Sequence, residues 1–170
     1  MTSHSEPKPE MLPSNADHPA PTAWPEALRR LDAGTWYWLA TTRASGAPHV
    51  RPVLAVWRDE TGYFVSGAAS RKARNLVHDA RCTLTVAVED AHLVVEGTAS
   101  VVRDEAILRA VADAYVTKYQ WRVEVGDGAF IADYGAPTAG PPPYHVYRLE
   151  ADTVYGFGTN ETWSPTRWRF

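Results

Sequence analysis

One cysteine in 170 residues excludes an internal disulfide framework and most cysteine-based zinc sites. That residue, Cys82, alternates with Leu84 and Val86, the pattern of a small core hydrophobe and not of a nucleophile. No apolar run approaches the ~20 residues of a membrane span, and the N-terminus lacks the apolar stretch of a secretion signal, so a cytoplasmic protein is expected. A formal charge of −3 gives no global attraction to nucleic acid. The six histidines show no metal spacing, and His78, His92 and His145 read as surface or packing residues. There is no Gly-x-Ser-x-Gly elbow and no carboxylate pair placed as acid and base. No catalytic or metal-binding side chain is therefore assigned.

Aromatic residues are abundant. Seven Trp and eight Tyr exceed what a core of this size needs, so some of these rings are expected at a ligand site or subunit interface. Residues 1–23, rich in Pro, Ser, His and Glu without hydrophobic period, read as a disordered N-terminal arm. Residues 24–170 read as one domain with a C-terminal tail. Trp24–Gly34 is a short helix with Pro25 in its first turn and Leu28 and Leu31 on its apolar side. The period then becomes two. Strands are expected at 36–42, 49–57, 63–66, 81–88, 92–102, 144–149 and 153–157, with helices from Ser70 to Asp79 and from Asp104 to Tyr119. Segment 121–143 reads as an irregular Gly/Pro-rich loop. Many strands with few helices suggest an antiparallel barrel with helical insertions.

The stretch Ser66-Gly-Ala-Ala-Ser-Arg-Lys-Ala-Arg-Asn-Leu76 carries the most chemistry. Gly67, Ala68 and Ala69 leave the backbone approachable, Ser70 suits an N-cap, and Arg71, Lys72 and Arg74 follow. Unpaired N–H groups, the positive end of the helix dipole and several cations thus converge, which is how a chain holds phosphate. The alternative is an ordinary solvated basic helix. Arg51 and His49 share one face of a strand, expected to point outward while Val50, Pro52 and Leu54 fill the barrel. An outward Arg51 beside Lys72 forms a two-sided anion clamp, or else pairs with a surface carboxylate. Pro52 within a strand implies an edge, a bulge or a turn toward a ligand. Asn75 has an amide able to meet a heterocycle edge. Glu96-Gly97 reads as a bulge or buried polar contact. The tail Arg167-Trp-Arg-Phe170 is expected to dock beside the cofactor across a dimer interface, or within its own subunit.

Three motifs, Leu39-Ala-Thr-Thr-Arg-Ala-Ser-Gly-Ala-Pro-His-Val-Arg-Pro-Val53, Ser70-Arg-Lys-Ala-Arg-Asn-Leu76 and Val95-Glu-Gly-Thr-Ala99, stand in an order that resembles the pyridoxamine 5′-phosphate oxidase-like family. The resemblance runs from about Ala27 to Gly158. It implies a mainly β, FMN-binding-like split β-barrel of antiparallel Greek-key type, assembled as a homodimer with two cofactor sites at the interface. It places His49, Arg51, Pro52 and Val53 near the ring and ribityl chain, and Ser66, Gly67, Ser70, Arg71 and Lys72 at the phosphate, with Asn75 close by. Arg167 and Trp168 join the proposed set from the tail. One departure stands out: the Arg-rich C-terminal substrate signature of the true oxidases is missing, which argues against vitamin B6 synthesis. The Arg-Lys-Ala-Arg-Asn-Leu form is similar to members that bind the deazaflavin coenzyme F-420, whose acidic tail Arg71, Lys72 and Arg74 could follow.

The expected function is hydride transfer between deazaflavin coenzyme F-420 or FMN and a small organic substrate, with the cofactor performing the redox step. A cofactor carrier or haem-binding protein on the same scaffold is the alternative, and a barrel without cofactor the third reading.

Overall fold

A computed structural model describes residues 6–14, 20–133, 135, 141–160 and 163–170. Among them are eleven strands and three helices, and all paired strands are antiparallel. The strands are β1 (Lys8–Met11), β2 (Tyr37–Thr42), β3 (Pro48–Val53), β4 (Ala55–Arg58), β5 (Thr61–Gly67), β6 (Arg81–Ala87), β7 (Ala91–Val101), β8 (Glu124–Gly126), β9 (Ala129–Ile131), β10 (Tyr144–Gly158) and β11 (Thr166–Arg169). The helices are α1 (Trp24–Ala33), α2 (Arg71–His78) and α3 (Glu105–Tyr119).

The barrel follows from who pairs with whom. Strand order runs β1-β11-β10-β7-β6-β2-β3, while β4 pairs with β5 and β5 returns to β10. Because β3 passes through Leu54 into β4, the wall closes on itself, split at that junction. The sequence suggested one strand over 49–57. The break at Leu54 frees backbone groups that must find partners, and α3 supplies them. Tyr115 Oη donates to Leu54 O at 2.9 Å. The Tyr119 hydroxyl accepts from Ala55 N at 3.2 Å and lies 2.8 Å from Ala55 O and 3.0 Å from Thr35 O. Pro52 sits on the outermost strand of its side of the sheet, the edge position expected of a proline there.

Alternation on β2, β6 and β7 sends Leu39, Leu84, Leu93 and Val95 into the barrel with Phe64 and Tyr147, whose rings stack 5.2 Å apart. Trp24, Ala27 and Leu31 of α1 and Ala73 and Leu76 of α2 join this core. A second core lies across β4, β5 and β10, where Val56, Val65 and Val146 meet Leu108, Val111 and Tyr115 of α3.

Four expectations need correction. The two strands read at 144–149 and 153–157 are one, β10, with a bulge between Ala151 and Thr153. The extra residue moves the inward face from Tyr147 and Leu149 to Val154 and Gly156, which erases a single alternating pattern. Gly97 faces this bulge, and a Cβ there would lie 2.0 Å from Glu150 O. The 121–143 segment contains the β8–β9 hairpin, although residues 134 and 136–140 lie outside the described set. Finally, part of the arm read as disordered is strand β1, paired with β11, and the tail Thr166–Arg169 is itself a strand between β1 and β10. The rest of the arm at 1–5 and 15–19 lies outside the described residues.

Candidate functional site

The N-terminus of α2 is built as its sequence suggests. Ser70 caps it, its Oγ accepting from Ala73 N at 3.1 Å, and its own N–H donates to Gly67 O at 3.0 Å. Ser66, fully buried at the end of β5, stands 2.7 Å from Ser70 through the two hydroxyls. Ser66 therefore holds the turn in place, while Ala68 and Ala69 are exposed. Arg71 points to solvent and Lys72 is buried. Arg74 folds back, donating to Ala69 O at 2.7 Å.

The second wall comes from β2 and β3. Their register sets His49 opposite Thr41, Arg51 opposite Leu39 and Val53 opposite Tyr37. Those β2 residues face inward, so the odd positions of β3 do too, the reverse of the expected orientation. His49 and Val53 are buried, whereas Val50 on the other face is 43% exposed. Val53 belongs to the barrel core and leaves the candidate site. Arg51 faces the barrel side yet stays exposed, its long stem carrying the guanidinium outward.

Asn75 is also relocated. It is buried, and its amide donates to Thr41 Oγ1 at 3.0 Å; that hydroxyl lies 3.5 Å from His49 Nδ1. Asn75 ties α2 to β2 and fixes the His49 wall.

Electrostatics show what converges. Burial holds the His49 imidazole below its ordinary value, and the charges of Arg51, Arg43, Lys72 and Arg71 push it the same way, in that order. Burial likewise lowers Lys72, with Arg51 adding to it. Four cations from the β2–β3 turn, β3 and α2 thus bear on one buried imidazole. Like charges gathered in this way repel one another, and an anion placed among them relieves the repulsion. Arg43 escaped the sequence reading because it lies in a hairpin turn, stabilised by Arg43 N to Ala47 O at 2.9 Å, and only strand pairing brings it close.

The structure does not bring the tail to this site. Trp168 is fully buried, its Nε1 donating to Thr22 O at 3.0 Å and its ring 5.9 Å from Trp24. Arg167 pairs with Glu10 of β1 at 2.6 Å. Docking is within the same chain because β1 and β10 flank β11 on both edges. Cys82 is buried and its thiol is pushed up to about 12 by burial, consistent with an inert core residue.

Residues 24–158 match the family model described as pyridoxamine 5′-phosphate oxidase. The chain belongs to that family. No curated protein matches it. Among solved structures, a conserved hypothetical protein from Mycobacterium tuberculosis is 17% identical with a TM-score of 0.66, covering 88% of this chain and 92% of that one. A FAD-binding protein from Mesorhizobium loti is 14% identical, TM-score 0.58, covering 88% and 95%. A haem-binding protein from Mycobacterium smegmatis is 20% identical, TM-score 0.58, covering 81% of this chain and 55% of that one. At such identities these likenesses establish the split-barrel fold. Among the described residues no helix is long and apolar enough to cross a membrane.

Proposed function

We propose that this chain is a homodimeric, cytoplasmic oxidoreductase that binds deazaflavin coenzyme F-420 or FMN and moves a hydride between it and a small organic substrate. The observation that carries the reading is the gathering of Arg43, Arg51, Arg71 and Lys72 around His49 at the capped start of α2. A phosphate fits there: backbone N–H groups and the helix dipole face it, and cations close from two sides. Deazaflavin extends beyond its phosphate as an acidic tail, for which exposed Arg71 and Arg74 supply further charge. When bound, the cofactor supplies the redox chemistry; Arg51 and Lys72 anchor it, and the neutral, buried His49 shapes the wall beside it.

A second copy is proposed on the outer face of the sheet. Register places Val50 beside Ala40, Pro52 beside Trp38, Trp38 beside Thr85, Thr85 beside Val94 and Val94 beside Tyr155. Trp38 is 53% exposed and Phe157, stacked 6.4 Å from Tyr155, is 42% exposed. Such a flat apolar face next to the cation-bearing strand suits an isologous contact. Trp38→Glu is expected to shift the protein from dimer to monomer in light scattering and to weaken cofactor binding at the same time. A folded variant that stays dimeric would remove this face from the interface.

The carrier reading has one observation in its favour: after its burial, the groups that bear on His49 are Arg51, Arg43, Lys72 and Arg71, with no carboxylate among them. Mixing protein loaded with reduced cofactor against a substrate panel separates the two. Reoxidation by a panel member in the anaerobic mixture supports the enzyme; an unreactive bound cofactor supports the carrier.

A further inference from the structure

Three of the 17 basic residues are lysines: Lys8, Lys72 and Lys118. Lys118 lies in the last turn of α3, far in sequence from the cation cluster, with its side chain only 17% exposed. Its Nζ donates to Tyr37 Oη at 2.9 Å. The Tyr37 hydroxyl hydrogen is already committed to Leu31 O, so that oxygen acts only as an acceptor. Trp57 Nε1–H also approaches Tyr37 without closing a hydrogen bond. Asp32 Oδ1 stands 3.9 Å from Nζ, beyond hydrogen-bond reach. The tyrosine rings 37 and 119 have their centroids 5.1 and 5.5 Å from Nζ. A cavity of about 390 Å³ opens beside the amine, with Trp57, Arg58, Asp113 and Thr117 among its walls.

This amine is held by one hydrogen-bond acceptor and two ring faces, with the exposed Asp32 carboxylate as an ion-pair partner at 3.9 Å that makes no hydrogen bond to it. An uncharged Lys118 keeps one N–H on Tyr37 and leaves its lone pair for the cavity. We propose that Lys118 is a lysine-acylation site that takes the acyl group of a small activated donor of the acyl phosphate class. The nitrogen lone pair attacks the carbonyl carbon and a C–N bond forms. The C–O bond to phosphate breaks, phosphate leaves with the electron pair, and the surplus proton on nitrogen passes to solvent. Nothing is oxidised or reduced. The amide still donates its N–H to Tyr37, and the charge that was costly to bury is gone.

Burial lowers Lys118 to about 8, with Asp32 acting in the opposite direction. The groups facing it are Asp32 of α1, Tyr37 of β2, Arg58 of β4, and Asp113 and Tyr119 of α3. At pH 8 an ordinary exposed lysine is only about 0.4% neutral, and burial gives Lys118 a larger neutral fraction.

The full chain is treated with acetyl phosphate from pH 6 to 9 and mapped by peptide mass spectrometry. Lys118 is expected to acetylate at least tenfold faster than Lys8 at pH 8. Asp32→Asn, a change at a 61% exposed side chain, is expected to move the midpoint of its pH profile downward. Labelling of Lys118 no faster than that of Lys8 overturns the proposal, as does a pH profile that Asp32→Asn leaves unmoved.

Discussion

Lys72→Ala is expected to weaken cofactor binding tenfold or more, about 1.4 kcal/mol. Lys72 is buried at the start of α2, and Arg51 repels it across the site. That repulsion is a cost the free protein carries and a bound phosphate removes, so the ligand gains from it. Alanine deletes both the repulsion and the attraction, and only binding feels the second. The melting temperature should change little, because truncation loses the packed stem but also relieves a buried like charge. Fluorescence titration of the wild type and the variant measures the change. Near-equal affinities would take Lys72 out of the site and leave Arg51 and Arg71 to hold any anion.

Gly97→Ala is expected to destabilise the fold by about 3 kcal/mol or more, beyond the usual range for overpacking. Its Cβ would meet Glu150 O at 2.0 Å, Glu150 C at 2.9 Å and Ala151 Cα at 3.0 Å. All three are backbone atoms of β10, so no side chain can swing aside. Strand β10 pairs with β5, β7, β9 and β11, and the clash falls beside its bulge. For a chain of this size, 3 kcal/mol lowers the melting temperature by roughly 6–12 °C. A variant that melts within 2 °C of wild type would mean that β10 shifts freely at the bulge.

Local chemistry was legible in the sequence where one short segment held all of it. Ser70 caps α2 and Asp104 caps α3, as their positions before apolar-periodic runs indicate. Glu96-Gly97 was legible as a bulge or buried polar contact, but the bulge belongs to the facing strand β10, between Ala151 and Thr153. What failed depended on long-range pairing. The inward face of β3 could be read only with β2 beside it, since His49 and Val50 each look acceptable in the core. Arg43 sits in a turn, and its closeness to His49 exists only in three dimensions. Trp168 and Arg167 looked costly to expose, which was sound. Their partners, Thr22 and Glu10, lie more than 140 residues away in a segment too polar to read as a strand.

The most direct measurement is a parallel titration of the purified protein with FMN and with coenzyme F-420, followed by fluorescence and repeated with Lys72→Ala. Saturable binding of at least one cofactor, weakened tenfold or more by Lys72→Ala, is the predicted result, and the tighter ligand identifies the cofactor. Binding of neither by the folded protein would contradict the account and leave the cation cluster to serve another anion.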